Sequence, residues 1–235
     1  MKTGSIAYNL KSVLEHIEKA AERAGRNPAD IILVAVSKNH PPQAVIEAVE
    51  SGVKHIGENR LQEAEIKFAA IRTLAPHLDF TRHLVGHLQT NKVRKALTIF
   101  DLIQSVDSDK LLDKISSEAV ELGESVDILL QVNTSGEVGK FGVEPWQAPE
   151  LAAYAAEKPH IRVKGLMTIG AFLPNPEQVR PCFVKLRETA EKITAAKILN
   201  LEMKYLSMGM TNDFEVAVEE GANILRIGTA IFGSR

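Results

Sequence analysis

Short runs of apolar residues alternate along the chain with longer stretches whose apolar positions recur every three or four residues. The runs "IILVAVSK" (31–38), "HIGE" (55–58), "TRHLVG" (81–86), "LIQSV" (102–106), "ILLQV" (128–132), "VKGLMTIG" (163–170), "YLSMG" (205–209) and "ILRIG" (224–228) predict eight strands. Between them, "PPQAVIEAVESG", "LQEAEIKFAAIRTLA", "SDKLLDKISSEAVELG" and "PEQVRPCFVKLRETAEKITAA" each gather apolar residues on one face and predict helices able to cover a sheet. Ser108 and Asp109 are candidate N-caps of one of these, and Gly123 its candidate terminator. The opening stretch "MKTGSIAYNLKSVLEHIEKAAERAG" has the same spacing and adds a helix ahead of the first strand. Strands that alternate with helices pair in parallel, because a parallel pair needs a crossover and a helix supplies it. Eight of them in 235 residues predict an α/β fold, a closed (β/α)8 TIM barrel forming one domain over residues 1–235. A doubly wound open sheet with one strand miscounted is the alternative.

Composition narrows the functional classes without choosing among them. Hydrophobic residues at 45% and charged residues at 25% are ordinary for a soluble globular protein. With 28 basic and 30 acidic residues the net charge is -2, which leaves no electrostatic footprint for nucleic acid. No segment reaches the roughly 20 apolar residues of a membrane span, and the N-terminus lacks a signal-peptide core. The single cysteine, Cys182, excludes an internal disulfide and fits a reducing compartment. A cytoplasmic protein without membrane or nucleic-acid partners is the expectation. The seven histidines show no metal-ligand cluster.

In a barrel of this kind, function sits at the C-terminal ends of the strands. The positions there are Lys38, then Glu58, Asn59 and Arg60, then Gly86 and His87, Asp107, Asn133 and Thr168, and finally "SMGMTND" (207–213) and "RIGTAIFG" (226–233). The last two loops are where such barrels often hold phosphate. Gly209 and Gly228 let backbone approach an anion, and Ser207 and Thr229 offer hydroxyls. Arg226 alternates with Leu225 and Ile227, so it faces the barrel interior if they face the helices. There it needs an acceptor, either a barrel carboxylate such as Glu58 or a ligand atom. Lys38 shares the parity of Val34 and Val36. It is either a rim lysine or an amine desolvated near Arg226, with a lowered pKa and enough nucleophilicity for a Schiff base. A phosphate-bearing aldehyde would join the lysine to the anion site, and pyridoxal 5'-phosphate (PLP) is such a molecule.

The motifs "AVSKNHP", "GENRLQE", "HLVGHLQTNKVR", "QSVDS", "LLQVNTSGEVGKFGV", "VKGLMTIG", "LSMGMTNDFEVAVEEGA" and "LRIGTAIFG" resemble those of the pyridoxal phosphate homeostasis proteins. These are single-domain relatives of the alanine racemase N-terminal barrel, and the resemblance runs from about residue 31 to residue 233. It implies PLP bound as an internal aldimine on Lys38, phosphate held by Ser207 and by Gly228 and Thr229, and Arg226 facing the pyridine nitrogen. Asn59 and His87 match family positions at the cofactor's rim. Asn39 stands where threonine is frequent, and Phe141 and Asn212 replace smaller residues. The family is thought to buffer and deliver PLP without turnover, which implies apo PLP-dependent enzymes as acceptors.

The residues themselves argue in the same direction. A PLP racemase needs an acid/base opposite its lysine, and Tyr8, Tyr154 and Tyr205 fall in the first helix, a crossover helix and the bottom of the seventh strand. A cation facing the pyridine nitrogen weakens the ring as an electron sink. A carrier acting as a monomer is therefore expected, against an active racemase or lyase using His87, or a cofactor-free Schiff-base aldolase. The Gly-rich stretch at 134–140 has the character of a lid, with Lys140 a candidate second docking point for PLP. In "HLQTNKVRKAL", Lys92, Arg94 and Lys95 form a basic turn that reads as a solvated helix face.

Overall fold

The computed structural model describes residues 4–233. Eight parallel strands close into a barrel in chain order: β1 (Ile32–Val36), β2 (His55–Glu58), β3 (Thr81–Leu84), β4 (Leu102–Val106), β5 (Val126–Gln131), β6 (Ile161–Met167), β7 (Leu201–Ser207) and β8 (Ile224–Ile227). β8 returns to pair with β1, so the open-sheet alternative is excluded. The helices are α1 (Ile6–Arg23), α2 (Pro42–Glu50), α3 (Leu61–Leu74), α4 (Val93–Leu97), α5 (Asp109–Leu122), α6 (Ala148–Ala156), α7 (Arg180–Ala195), α8 (Phe214–Glu219) and α9 (Thr229–Phe232). Ser108 caps α5 by accepting from the Leu111 N–H, and Gly123 ends it in the left-handed conformation at φ 71°, as its sequence predicts.

α9 is a single turn, too short to cover the seam where β8 meets β1. α1 takes that place from the other end of the chain. Leu10, Val13, Ile17, Ala20 and Ala21 form its buried stripe, and it packs against α8, α9 and α2. Asn9 Nδ2 donates to the Ile231 carbonyl at 3.0 Å, and Arg26 reaches the carbonyls of Val218 and Ala222 at 2.7 Å each.

Alternation along each strand separates two buried layers. Ala35, Ile56, Ile103, Leu225 and Ile227 face the helices, within the large core cluster. Val34, Leu102, Leu129, Met167 and Ile224 form a second, smaller cluster inside the barrel. Val34 and Ile224 therefore fix the inward parity of β1 and β8, and with it the direction of Lys38 and Arg226.

Candidate functional site

β1 ends at Val36, and Lys38 follows two residues later at the C-terminal mouth of the barrel. Extended by two positions, the register that pairs Val36 with Gly57 sets Lys38 beside Asn59. Of the two readings of Lys38, the structure shows a rim lysine: the residue is exposed, not desolvated. The chain turns outward immediately after it, with Asn39 in the left-handed region at φ 63°. Asparagine tolerates that conformation better than most residues.

Behind this turn lies an ionic cluster. Lys67, on α3 and only 3% exposed, donates to the Ser37 carbonyl at 2.7 Å, to Glu58 Oε1 at 2.5 Å and to Glu63 Oε1 at 2.9 Å. Ser37 Oγ donates to Glu58 Oε1 at 2.5 Å, and Glu63 Oε1 also accepts from the Asn39 N–H. The peptides on both sides of Lys38 are thus tied to one buried lysine and its carboxylates. Burial pushes the Glu58 carboxyl up, against the hydrogen bonds from Lys67 and Ser37. Burial also raises Glu63, but the bonds from Lys67 and Asn39 outweigh it and hold that carboxyl below its ordinary value. Glu58 shares the outward parity of Ile56, so it faces α3. It is not the partner of Arg226 that the sequence allowed for.

On the neighbouring strand β8, in register with Val34 of β1, Arg226 points into the barrel and is buried. Nη1 donates to Ser207 Oγ at 2.5 Å and Nη2 to the Thr168 carbonyl at 2.6 Å. Its partners are neutral oxygens, and among the described residues no carboxylate pairs with it; Asp213 acts on it only at longer range. Burial lowers the guanidinium to about 10, so it stays charged at neutral pH. Ser207 departs from expectation here. Its hydroxyl is fully buried, accepting from Arg226 and donating to Gln104 Oε1 at 2.6 Å, so it belongs to the barrel interior rather than to an anion loop.

The loops after β7 and β8 do meet at the mouth. Gly228 lies against β1 so closely that a Cβ there would stand 3.0 Å from the Val36 carbonyl oxygen. Gly209 adopts φ 92°, and a Cβ would come within 2.6 Å of Ala217, so α8 and the turn both require glycine. The backbone N–H groups of Gly209, Thr211, Gly228 and Thr229 find no acceptor among the described residues. Thr211, which the sequence reading passed over, holds its Oγ1 3.4 Å from the Ala230 N–H and so bridges the two loops. The signal for it is the hydroxyl residue within the "SMGMTND" loop.

Asn59 and His87 share a small cavity of about 120 Å³ with Arg60, Gln62, Gln89 and Lys92. Asn59 Oδ1 is buried without a partner. Gly86 is dictated by contact, since a Cβ would fall 2.2 Å from the Asn59 carbonyl oxygen. His87 is exposed and stacks on Phe141, with ring centroids 4.0 Å apart and planes 13° apart. Phe141 belongs to the loop after β5, whose base is fixed: Asn133 N–H donates to the Val143 carbonyl at 2.8 Å, and Gly142 N–H to Asp107 Oδ2 at 3.3 Å. Lys140 is already engaged, with Glu137 Oε1 at 2.5 Å and the Gly170 carbonyl at 3.2 Å, which removes the support for a second docking point there. In the basic turn, Arg94 pairs with Glu118 and Glu121, and Lys95 with Glu65, as a solvated helix face would. No described helix is long and apolar enough to cross a membrane, and no described group of side chains has the makings of a metal site.

Comparison with known proteins agrees with this geometry. The family model for the alanine racemase N-terminal domain matches residues 8–235. A pyridoxal phosphate homeostasis protein of Aquifex aeolicus is 46% identical over 226 residues, covering 96% of each chain. A crystal structure of a protein of unknown function from Bifidobacterium adolescentis superposes with a TM-score of 0.91 at 39% identity, over 96% of this chain and 94% of that one. PipY of Synechococcus elongatus, solved with PLP bound, superposes with a TM-score of 0.79 at 36% identity, over 93% of this chain and 100% of that one. Likeness of this extent, running the length of the barrel and through both walls of its mouth, makes the chain a member of the pyridoxal phosphate homeostasis protein family.

Proposed function

We propose that this protein binds PLP at the barrel mouth and serves PLP homeostasis as a single-domain, cytoplasmic, monomeric carrier without turnover. The observation that carries the reading is an exposed amine, Lys38, and a buried, uncompensated cation, Arg226, on adjacent strands of a mouth bordered by unpartnered backbone N–H groups. The donor set fits the cofactor's chemistry. The Lys38 amine would hold the aldehyde carbon covalently, with water as the leaving group. The N–H groups of Gly228 and Thr229, with those of Gly209 and Thr211, suit a phosphate. Arg226 can only donate, so it suits an unprotonated ring nitrogen. Asn59 and His87 line the rim of the mouth and would border the ring. When bound, PLP supplies an electrophilic carbonyl and an electron-withdrawing ring, and an unprotonated ring nitrogen weakens the second of these.

The absence of turnover rests on what borders the mouth. Tyr8 is exposed on α1, Tyr154 donates to Asp113 at 2.8 Å on the outer ring, and Tyr205 packs against the interior cluster below Ser207. No described tyrosine stands opposite Lys38 as an acid/base.

The test is the visible spectrum of the protein mixed with PLP, before and after borohydride, beside that of Lys38→Ala. A yellow band lost on reduction, with a pyridoxyl mass on Lys38 and none in the variant, is expected. A protein that PLP does not colour overturns the cofactor reading. Amino-acid turnover that requires Lys38 overturns the carrier and makes it a racemase or lyase. Delivery is read as the rate at which the loaded protein activates an apo PLP-dependent enzyme.

A further inference from the structure

Five polar side chains cross the barrel interior in a single line. Arg226 Nη1 lies 2.5 Å from Ser207 Oγ, and Ser207 Oγ lies 2.6 Å from Gln104 Oε1. Gln104 Nε2 is 2.9 Å from His83 Nδ1, and His83 Nε2 is 3.0 Å from His55 Nδ1. His55 opens β2 at the N-terminal end of the barrel, half-buried; the other four are buried. The line therefore runs from the arginine at the mouth to the far end of the fold.

The proton positions follow from one fixed point. A guanidinium has donors and no acceptor, so Ser207 Oγ must accept from Arg226. Its one proton then goes to Gln104 Oε1. The amide's oxygen being taken, its NH2 faces His83, whose Nδ1 must carry a lone pair. A neutral His83 therefore holds its proton on Nε2 and donates to His55 Nδ1, which leaves the proton of His55 on its own Nε2. Every bond points the same way. Burial keeps His83 neutral, lowering it to about 3 with help from neighbouring His55, and burial lowers His55 as well. Asp101 is the carboxylate that opposes the shift on His83, and it is held by Arg82 in a two-bond contact at 2.6 and 3.0 Å.

We propose that Gln104 is a positioning residue for Arg226: by holding the Ser207 proton it fixes the serine as an acceptor, and so orients the cation that faces the cofactor. The inference rests on the reading of Arg226 as the ring-nitrogen partner. An apolar residue at 104 would leave the Ser207 proton without its acceptor and free the hydroxyl to rotate away from Arg226, which would then be held by the Thr168 carbonyl alone. A carboxylate at 104 would still accept from Ser207. Its second oxygen has no proton for His83 Nδ1, so it would instead draw a proton onto that nitrogen.

Two measurements on the full-length protein test this. Long-range nitrogen–proton NMR of histidine-labelled protein gives the tautomers directly. Neutral His83 with its proton on Nε2 is expected from pH 5 to 8, and a proton on Nδ1 overturns the one-way line. PLP titrations then compare Gln104→Leu with Gln104→Glu. The leucine variant is expected to bind PLP about tenfold more weakly, on the order of one hydrogen bond to a charged group. The glutamate variant is expected to stay within about threefold of the parent while His83 gains a proton on Nδ1. Equal losses in the two variants, or none in either, overturn the positioning role. Should Gln104→Leu fail to fold, Ser207→Ala removes only a hydroxyl and must give the same weakening. A protein that never binds PLP sinks the cofactor reading but leaves the tautomer result to stand. Normal PLP binding with the opposite tautomer sinks the line alone.

Discussion

The two walls of the mouth hold their cations by opposite means. Behind β1 and β2, Lys67 sits among two carboxylates, a carbonyl and almost no solvent. On the other flank of β1, in β8, Arg226 is equally buried but meets only a hydroxyl and a carbonyl. The first cation is neutralised by its surroundings and serves the scaffold, tying down the peptides on either side of Lys38. The second keeps its charge in a medium where an unpaired charge is expensive to maintain. A buried cation without a counter-ion marks where a ligand is awaited, and one with two counter-ions marks a joint.

The comparison breaks most severely at Lys67. Lys67→Met strands the fully buried Glu58 carboxylate, and unfolding by urea is expected to show a loss of about 3–5 kcal/mol. Adding Glu58→Leu should recover most of it, because the stranded charge goes too. If the single variant loses less than about 1 kcal/mol, the joint is not ionic in character.

The neutral wall is sharpened by acid. Folded His83 resists protonation down to about 3, whereas the unfolded chain takes the proton near pH 6.5. Protonation therefore favours unfolding, so this contribution is complete above about pH 6.5 and declines as pH falls from there toward 3. The slope is about 1.4 kcal/mol per pH unit for the one histidine. His83→Gln should flatten the stability profile by about that amount between pH 4 and 6, and an unchanged slope would show His83 to be protonated in the fold.

The smallest effect belongs to the rim. Phe141→Ala removes the stack on His87, expected to be worth about 0.5–1 kcal/mol. It should leave urea stability within that range and speed PLP release to an apo-enzyme. If release is unaffected, the loop does not gate the mouth.

The fold was legible in the sequence because each strand carries an apolar run, and β2 and β4 begin and end where those runs do. β5, β6 and β7 start earlier than their runs, at Val126, Ile161 and Leu201. Their first residues alternate with charges that pair across strands, Asp127 with Arg162 and Lys164 with Glu202, and apolar runs do not register such positions. Parity alone directed Lys38 and Arg226 toward the mouth. The same parity, applied to Ile56, would have turned Glu58 outward and away from Arg226. Lys67 was not legible, since its role depends on which face of α3 meets β2. Gln104 and His83 left a fainter sign, as polar residues at inward positions of "LIQSV" and "TRHLVG".

The contact of Gly228 with the end of β1 bears on how the protein is made. Nearly two hundred residues separate Lys38 from Arg226, and the seam that joins them pairs the first of the eight described strands with the eighth. Contacts so distant in sequence are slow to form, because loop-closure entropy must be met before they contribute. A chain in which β8 has not yet docked on β1 has the amine but not the strand that carries Arg226. Any ligand that needs both strands must wait for this seam to close, so its loading would report barrel closure rather than guide it.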